Sequence, residues 1–251
     1  MGVRKSVPVK TPISADLKIL WQMARGASVG ANHAERLERF YRPQAKNYDA
    51  FRQRLLQGRS ELIELLAPPD GAFIVELGAG TGNNARYFGE RLAHFEAVEL
   101  VDLCPALLEQ ARLRWADEPR VRVIEADATS YRPAKPVDRV YFSYALTMIP
   151  QWRQALDNAL AMLKPGGLLG VVDFDLPRGN CLAERCACEF WRRWFAHDGV
   201  RLDRAHVEQL QALTEPVTLR ESTASLPYLP GLRVPYYVYV GRKCLTEMRA
   251  R

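Results

Sequence analysis

The chain has 251 residues, of which 48% are hydrophobic and 25% are charged. These proportions are typical of a globular protein with a buried core, and the length suits one large domain or two small ones. No stretch approaches the roughly 20 uninterrupted apolar residues of a spanning helix. The basic residues 1–6 lack the apolar run of a secretory signal, so we expect a cytoplasmic protein.

Positive charge is concentrated at the start of the chain. The first 60 residues contain 12 Lys and Arg against 4 Asp and Glu, whereas the whole chain has a formal net charge of +6. Such asymmetry is typical of proteins that contact nucleic acid, an anionic membrane or an acidic substrate. A solvated helical surface would give the same count, so charge alone does not choose among these partners.

Three of the five cysteines, Cys181, Cys186 and Cys188, lie close together. Their spacing matches no common zinc pattern, and no histidine follows at a matching interval. We therefore expect reduced thiols here rather than a metal site.

A sharp break divides the chain near residue 70. Residues 1–13 are polar and punctuated by proline, and a helical pattern then continues, with one interruption, to Leu66. Turn-forming residues at 68–71 end it. We expect residues 1–70 to form an N-terminal arm and helical lid, and residues 71–251 to form the core of a single structural domain.

After this break, short apolar runs alternate with helical patterns. Strands are predicted at residues 72–77, 97–102, 121–126, 138–144 and 168–174, helices at 83–93, 105–116, 151–163, 181–197 and 204–213, and two β-rich runs at 217–224 and 234–241. We expect the last two runs to form an antiparallel pair at one edge of the sheet. The alternation predicts an α/β fold, a doubly wound and mostly parallel sheet with an N-terminal helical extension.

A glycine-rich turn joins the first predicted strand to the helix after it. Gly78, Gly80 and Gly82 would let the backbone approach a ligand closely, next to the free N–H groups of a helix start. Dinucleotide enzymes share this logic, but the spacing here is G-x-G-x-G rather than G-x-G-x-x-G. Glu76 would repel a pyrophosphate and suit a sulfonium or ammonium group. The motif therefore favours S-adenosylmethionine over a nicotinamide dinucleotide.

Acidic residues follow at the ends of the next two strands. Asp102 is placed to accept hydrogen bonds from ribose hydroxyls, and Asp127 is placed to accept one from an adenine amino group. An acid after a strand can instead cap the next helix. The three features in order, each at a strand's carboxyl end, favour a cofactor site. Further cofactor contacts are predicted at the same edge of the sheet, from Ala79, Leu103, Ala128 and Ser143.

This ordered set resembles the class I S-adenosylmethionine-dependent methyltransferases. The resemblance covers roughly residues 71–174 and includes Met-Leu-Lys-Pro-Gly-Gly at residues 162–167. It implies a seven-stranded sheet with a reversed last strand, which agrees with the tail predicted above. Because this fold serves many acceptors, the acceptor has to be inferred from segments outside the cofactor core.

Segments outside that core resemble the betaine-lipid N-methyltransferases. They are residues 33–59, residues 142–150 (Phe-Ser-Tyr-Ala-Leu-Thr-Met-Ile-Pro), and residues 190–200 with 227–237. The resemblance implies three successive methyl transfers onto the amine of diacylglyceryl-homoserine, a lipid.

Tyrosines are the candidate residues for the acceptor. Aromatic faces suit a site that accumulates quaternary ammonium, because the ring quadrupole attracts cations. We predict catalytic roles for Tyr144, which follows the fourth strand, and for Tyr41. Tyrosines that simply pack with satisfied hydroxyls give the same pattern. Tyr48 could serve the acceptor or the cofactor, and Arg59 is predicted to bind the cofactor's methionine carboxylate. The alternative for Arg59 is a place on the helix surface.

Aromatic and amphipathic segments permit a lipid acceptor without requiring one. Phe190, Trp191, Trp194 and Phe195 have helical spacing, which suits either an acyl-chain site or plain core. Residues 17–24 suit either an anionic membrane surface or packing on the domain. The predicted partners are an amine-bearing lipid or a small-molecule substrate, with peripheral contact to an anionic membrane.

Three other functions compete with this prediction. One is a small-molecule methyltransferase of specialised metabolism with a soluble amine or hydroxyl acceptor. A second is a binding protein that has lost the cofactor, against which the complete set of glycines and acids argues. The third is an RNA methyltransferase, but Ser-Tyr-Ala-Leu at residues 143–146 differs from the Asn/Asp-Pro-Pro-aromatic motif of base-amine methylation. We therefore expect no nucleic-acid partner.

Overall fold

The computed structural model describes residues 55–176, 202–225 and 233–244, together with residues 35, 38, 42, 188, 189, 191–193 and 200. Several predictions fall on residues outside this set, among them the roles of Tyr41 and Tyr48 and the amphipathic segment 17–24. Most of the predicted helix at 181–197 also lies outside it, although Trp191 is described and is buried in the core.

Seven strands and four α-helices make up most of the described chain. The strands are β1 Phe73–Leu77, β2 Ala97–Asp102, β3 Val121–Glu125, β4 Val137–Ser143, β5 Leu163–Phe174, β6 Glu215–Ser225 and β7 Arg233–Arg242. The helices are α1 Arg59–Leu66, α2 Pro105–Arg114, α3 Trp152–Met162 and α4 Ala205–Leu213, with 3₁₀ helices at Asn83–His94 and Leu146–Met148.

The strands form one sheet in the order β3-β2-β1-β4-β5-β7-β6. Strands β1 to β5 pair in parallel, whereas β7 is antiparallel to both of its neighbours, β5 and β6. This confirms the predicted mostly parallel, doubly wound sheet and its antiparallel closing pair. Because the strand order reverses between β1 and β4, a crevice opens there at the carboxyl edge.

Apolar side chains cover both faces in the middle of the sheet, where β1 and the second half of β5 are buried along their whole length. In β1, Ile74 lies in one core cluster with α1 and the 3₁₀ helix Asn83–His94. Phe73, Val75 and Leu77 lie in the other cluster with α3 and α4. Successive strand residues point to opposite faces, which places Glu76 on the same side as Ile74.

Helix α1 packs closely on the middle of the sheet. A Cβ atom added to Gly170 in β5 would lie 2.9 Å from both Leu62 and Leu66 of this helix. The absence of a side chain at Gly170 therefore lets the helix approach the sheet. Helix α1, which belongs to the predicted N-terminal extension, is thus part of the core of the domain. The predicted boundary between extension and core at residue 70 stays a prediction.

Two elements differ from their predicted form. The segment predicted as a helix at 83–93 is a 3₁₀ helix interrupted at Gly89, where φ is 57° and ψ is −135°. Strand β5 begins at Leu163 rather than at Leu168, so the Pro-Gly-Gly run lies within the strand. The register with β4 shifts there, because the residues between the two paired ends bulge out of the ladder.

Among the described residues, no helix is both long and apolar enough to cross a membrane. The same part of the chain contains no group of three or more His, Cys, Asp or Glu side chains arranged to hold a metal ion.

Candidate functional site

The glycine turn after β1 forms the floor of the candidate site. Gly78, Gly80 and Gly82 all have positive φ, at 76°, 57° and 66°. A Cβ atom on Gly78 would lie 2.4 Å from the Cβ of Ala145, closer than two carbon atoms can pack. Glycine at position 78 is therefore required by backbone conformation and by contact at once.

The carboxylate of Asp102 holds this turn in place. Its Oδ2 accepts a hydrogen bond from the Gly80 N–H at 2.8 Å, and its Oδ1 accepts one from the Cys104 N–H at 2.8 Å. The contact of Asp102 with ribose hydroxyls stays a prediction. Asp102 thus links the glycine turn to the start of helix α2.

A cavity opens above the turn at the carboxyl edge of the sheet. Its empty space, with the open mouth included, is about 970 Å³. Most of the predicted site residues line it: Arg59, Gly78, Ala79, Gly80, Asp102, Leu103, Asp127, Ala128, Ser143 and Tyr144. The structure thus brings together residues from five separate stretches of the chain.

Glu76 does not line the cavity, although a direct contact with the cofactor was predicted for it. The side chain is fully buried behind Asn84, whose Nδ2 donates to Oε1 of Glu76 at 2.6 Å. Tyr141 in β4 donates its hydroxyl to Oε2 at 2.9 Å. The physical reason is the alternation of β1, which directs this residue into a core face rather than toward the carboxyl edge.

Arg59, at the start of α1, is buried rather than on the helix surface. Its Nε donates to the Leu56 carbonyl at 3.0 Å and its Nη1 donates to Oδ1 of Asn84 at 3.3 Å. The buried Nη2 has no hydrogen-bond partner among the described residues. A buried, unpaired guanidinium nitrogen on a cavity wall has the chemistry to receive a carboxylate.

Tyr144 follows β4 in a strained conformation, with φ at 54°. This conformation destabilises a non-glycine residue by about 1–2 kcal/mol, so contacts with neighbouring residues must stabilise it. Its N–H donates to the Val172 carbonyl at 2.7 Å, its hydroxyl donates to the Gln57 carbonyl at 2.7 Å, and its ring meets Phe174 edge-on at 4.7 Å. Burial raises the pKa of Tyr144 well above its ordinary value, and the negative charge of Asp173 adds to this rise.

The opposite end of the cavity is formed by the loop after β3. Oδ1 of Asp127 accepts from the N–H and the hydroxyl of Thr129 at 2.8 and 2.7 Å. Asn158 in α3 donates to the carbonyls of Ala128 and Tyr131 at 2.8 and 3.0 Å. The loop is therefore fixed by Asp127 within it and by Asn158 of helix α3. Asp127 and Ala128 lie on the cavity wall.

Comparisons with known proteins agree with this fold. Residues 74–167 match the methyltransferase domain family. The N-methyltransferase NodS of Bradyrhizobium japonicum WM9, solved in complex with S-adenosyl-L-homocysteine, superposes with a TM-score of 0.62 at 18% identity. That similarity covers 84% of this chain and 98% of the other. Residues 74–167 are therefore similar to methyltransferase domains, within a fold that the solved N-methyltransferase shares.

Two curated relatives are methyltransferases with different named acceptors. The trans-aconitate 2-methyltransferase of Enterobacter sp. (strain 638) is 33% identical over 112 residues, which are 45% of this chain and 43% of that protein. The ubiquinone/menaquinone biosynthesis C-methyltransferase UbiE of Ectopseudomonas mendocina (strain ymp) is 29% identical over 160 residues, 60% of this chain and 62% of that protein. The chain thus spans about half the length of the curated relatives that it matches.

The residues of the methyltransferase domain fit S-adenosylmethionine. The glycine turn leaves room for close approach of a ligand, and two buried polar atoms at the cavity, Nη2 of Arg59 and Oγ of Ser143, have no partner among the described residues. Arg59 would hold the carboxylate of the cofactor, with Asp102 and Asp127 toward its ribose and adenine. When bound, the cofactor supplies an activated methyl group on a sulfonium.

Several lining residues of the domain were not predicted from the sequence: Leu56, Thr81, Asn83, Asn84, Val101, Leu107, Ala126, Met148, Ile149, Pro150 and Gln151. The pair Asn83-Asn84 directly after the glycine turn was a local signal for polar groups at the site. The other residues are mostly apolar and come close to the cavity only through the folding of the sheet.

A buried carboxylate behind the site was also missed. Asp173, near the end of β5, accepts from the N–H and hydroxyl of Thr147 at 3.1 and 2.7 Å, and from the Phe174 N–H at 2.8 Å. Burial raises the pKa of Asp173 to about 6. Asp173 thereby fixes the 3₁₀ helix Leu146–Met148 that follows Tyr144, a contact that depends on β4 and β5 being neighbours.

Glu38, in the predicted N-terminal lid, contacts the start of helix α2. Oε2 of Glu38 accepts from the Ala106 N–H at 3.0 Å and from the Cys104 thiol at 3.2 Å. A carboxylate at the start of α2 is favourable, because the helix dipole and the free N–H groups meet it there. The lid formed by residues 1–70 stays a prediction, and we expect it to attach to the core through this contact of Glu38.

Proposed function

We propose that this protein is an S-adenosylmethionine-dependent N-methyltransferase whose acceptor is the amine of diacylglyceryl-homoserine, methylated in successive steps to a betaine lipid. The observation that carries the amine acceptor is the environment of Tyr144. Because its hydroxyl donates to the Gln57 carbonyl, this residue has its ring, rather than a free hydroxyl, to offer the cavity. A ring face suits an acceptor that becomes a quaternary ammonium.

The charges behind Tyr144 favour a cation over an anion at this end. The ring contacts Phe174, and the carboxylate of Asp173 lies near enough to raise the pKa of the Tyr144 hydroxyl. A negative field and two aromatic rings stabilise an ammonium and disfavour a carboxylate. This supports an amine over an anionic acceptor such as the one named for the trans-aconitate relative.

Amine methylation makes modest demands on these residues. The nitrogen must be neutral, must lie in line with the transferable methyl group, and must be screened from water. The backbone conformation of Tyr144 is fixed by the Val172 carbonyl and by the Gln57 carbonyl, so the wall that meets the acceptor is rigid. A rigid wall keeps the acceptor nitrogen in line with the transferable methyl group, whether the nitrogen already has zero, one or two methyl groups.

The lipid as the source of the amine rests on the resemblance of residues 33–59, 142–150, 190–200 and 227–237. Peripheral contact with an anionic membrane belongs to the same proposal, since such an acceptor resides in a bilayer. A soluble small-molecule acceptor is the second candidate. It is favoured by the trans-aconitate relative, whose name gives a small water-soluble acceptor.

The test is methyl transfer from labelled S-adenosylmethionine to a lipid extract containing diacylglyceryl-homoserine, with a delipidated soluble extract in parallel. The proposal expects label in lipids with one, two and three added methyl groups. Label confined to the soluble pool would overturn the lipid acceptor and support the second candidate.

A matched pair of variants tests the role of the ring. Tyr144→Phe keeps the ring and loses the bond to Gln57, so most of the transfer rate should remain. Tyr144→Leu removes the ring and should lower the rate about five- to thirtyfold, given roughly 1–2 kcal/mol for a desolvated cation–π contact. Calorimetry with S-adenosylhomocysteine shows whether each variant retains its cofactor site. Equal rates for the two variants would exclude the ring as a contact of the acceptor.

A further inference from the structure

A buried network separates Glu76 from the cofactor cavity. Asn84 lies on the cavity wall, and its two amide atoms face different partners. Nδ2 donates to Oε1 of Glu76 at 2.6 Å, and Oδ1 accepts from Nη1 of Arg59 at 3.3 Å. One amide therefore joins a carboxyl group behind the wall to a guanidinium on the wall.

The groups that face Glu76 come from every element packed around it. Arg59 belongs to α1, Tyr141 to β4, Asn84 to the 3₁₀ helix, and Asp102 ends β2. Burial raises the pKa of Glu76 to about 7, and the charge of Asp102 adds to this rise, while Asn84, Tyr141 and Arg59 oppose it. A carboxyl group in these surroundings can exchange its proton near neutral pH.

We propose that Glu76 is a charge-sensing residue that acts through Asn84: it releases a proton to solvent when the cationic cofactor occupies the cavity, and regains it when the neutral sulfur product remains. This inference rests on the proposed function only in so far as S-adenosylmethionine is the cofactor. Glu76 is then a positioning and specificity residue, because it favours the charged cofactor over S-adenosylhomocysteine.

The difference between the two ligands isolates this effect. Both carry the same ribose, adenine, amino and carboxylate groups, and because the sulfonium makes the neighbouring ammonium more acidic, proton exchange by the ligands themselves is subtracted by repeating both titrations with Glu76→Gln. The sulfonium charge remains as the difference. If it lowers the pKa of Glu76 by one unit, the affinity for S-adenosylmethionine relative to S-adenosylhomocysteine rises about fivefold between pH 6 and pH 8.

Calorimetry in two buffers of different ionisation enthalpy measures the protons released. At pH 7 we expect the wild-type protein to release about 0.4 proton more with S-adenosylmethionine than with S-adenosylhomocysteine, for the same one-unit change. The difference should fall by about this amount in Glu76→Gln. Glu99→Gln is the matched control, since Glu99 is also a buried carboxyl of a central strand but is bonded by Tyr131 and Arg122 instead. It should keep the difference.

Two results would overturn the inference: equal proton release with both ligands in the wild-type protein, or an unchanged difference in Glu76→Gln. Should that variant fail to fold, Tyr141→Phe serves instead, since it removes a donor to Glu76 and should move the midpoint of proton release to higher pH. Failure of either ligand to bind would refute the methyltransferase proposal itself. Failure of the lipid assay alone leaves the proton measurement intact, so the two outcomes are distinguishable.

Discussion

Substitution of Arg59 is the sharpest test of the cofactor's orientation. Two nitrogens of this side chain donate hydrogen bonds within the protein, to the Leu56 carbonyl and to Oδ1 of Asn84. The buried Nη2 has no partner among the described residues and can bind a ligand. If a carboxylate occupies that position, the lost interaction is a charge-assisted hydrogen bond worth about 1.5–3 kcal/mol. Arg59→Met should therefore raise the dissociation constant of S-adenosylhomocysteine about 10- to 150-fold. Arg59→Lys, which keeps the charge but not the fork, should raise it about tenfold.

The chemistry of the ligand separates binding from folding. The nucleoside 5′-methylthioadenosine lacks the amino-acid part, so its affinity should change less than about twofold in the same variants, within the usual scatter of non-contacting substitutions. Titration calorimetry on both ligands gives the comparison. The Leu56 and Asn84 bonds are lost as well, so a fall of about 1–3 kcal/mol in the free energy of unfolding is expected alongside.

Arg139→Lys is the matched control for Arg59. Arg139 is also bonded to backbone carbonyls, those of Leu66 and Ala67, but it lies near the amino end of β4, away from the cavity. This variant should lose stability without losing ligand affinity. Equal loss of affinity for S-adenosylhomocysteine and 5′-methylthioadenosine in Arg59→Met would refute the carboxylate contact.

Three further predictions concern other parts of the molecule. Asp102→Ala should raise the cofactor dissociation constant at least about tenfold, since charge-assisted bonds are lost, and unchanged binding by calorimetry would contradict the site. Gly78→Ala should cost more unfolding free energy in urea than Gly89→Ala, because its added Cβ would meet Ala145, whereas Gly89 has open space around it and its substitution costs only backbone strain, about 1–3 kcal/mol. Burial lowers the pKa of His206 from 6.5 to about 4, so stability should fall by up to about 3 kcal/mol as pH drops through this window, and His206→Gln should flatten the pH dependence of wild-type unfolding; an unchanged slope would exclude His206 as the cause.

The sign of the His206 effect follows from which state binds the proton. Between pH 6.5 and 4 the unfolded chain binds a proton that the folded protein excludes, so acid favours unfolding. Glu76 acts in the opposite direction, since burial raises its pKa from 4.5 to about 7 and its contribution is lost as pH rises through that range. The two groups therefore have to be separated by comparing each variant with the wild type at every pH.

The fold could be predicted well because its signals are local. Apolar runs of strand length, turn residues and helical spacing mark each element without knowledge of its neighbours. The predicted strand begins at residue 168, after the Pro-Gly-Gly run, yet β5 includes this run where the register with β4 shifts. That outcome depends on the partner strand, which local patterns do not contain.

Those residues of the candidate site that directly follow a strand could be predicted from the sequence. Asp102 and Asp127 are close in space because parallel strands deliver their carboxyl ends to one edge. The position of Glu76 behind the wall follows from strand alternation, but its bonds to Asn84 and Tyr141 depend on how the 3₁₀ helix folds back. The pairing of Asp173 with Thr147 likewise requires β4 and β5 to be neighbours, and the burial of Arg59 requires α1 to lie on the sheet.

The segment from Gln57 to Arg59 joins the two halves of the site. Its first residue accepts the Tyr144 hydroxyl on the acceptor side, and its last residue carries the unpaired nitrogen on the cofactor side. Gly58 between them has φ of 78°, and a Cβ there would lie 2.8 Å from the ring of Tyr236, so only glycine permits this turn. Because these three consecutive residues carry both contacts, one short stretch of backbone positions Tyr144 on the acceptor side and Arg59 on the cofactor side.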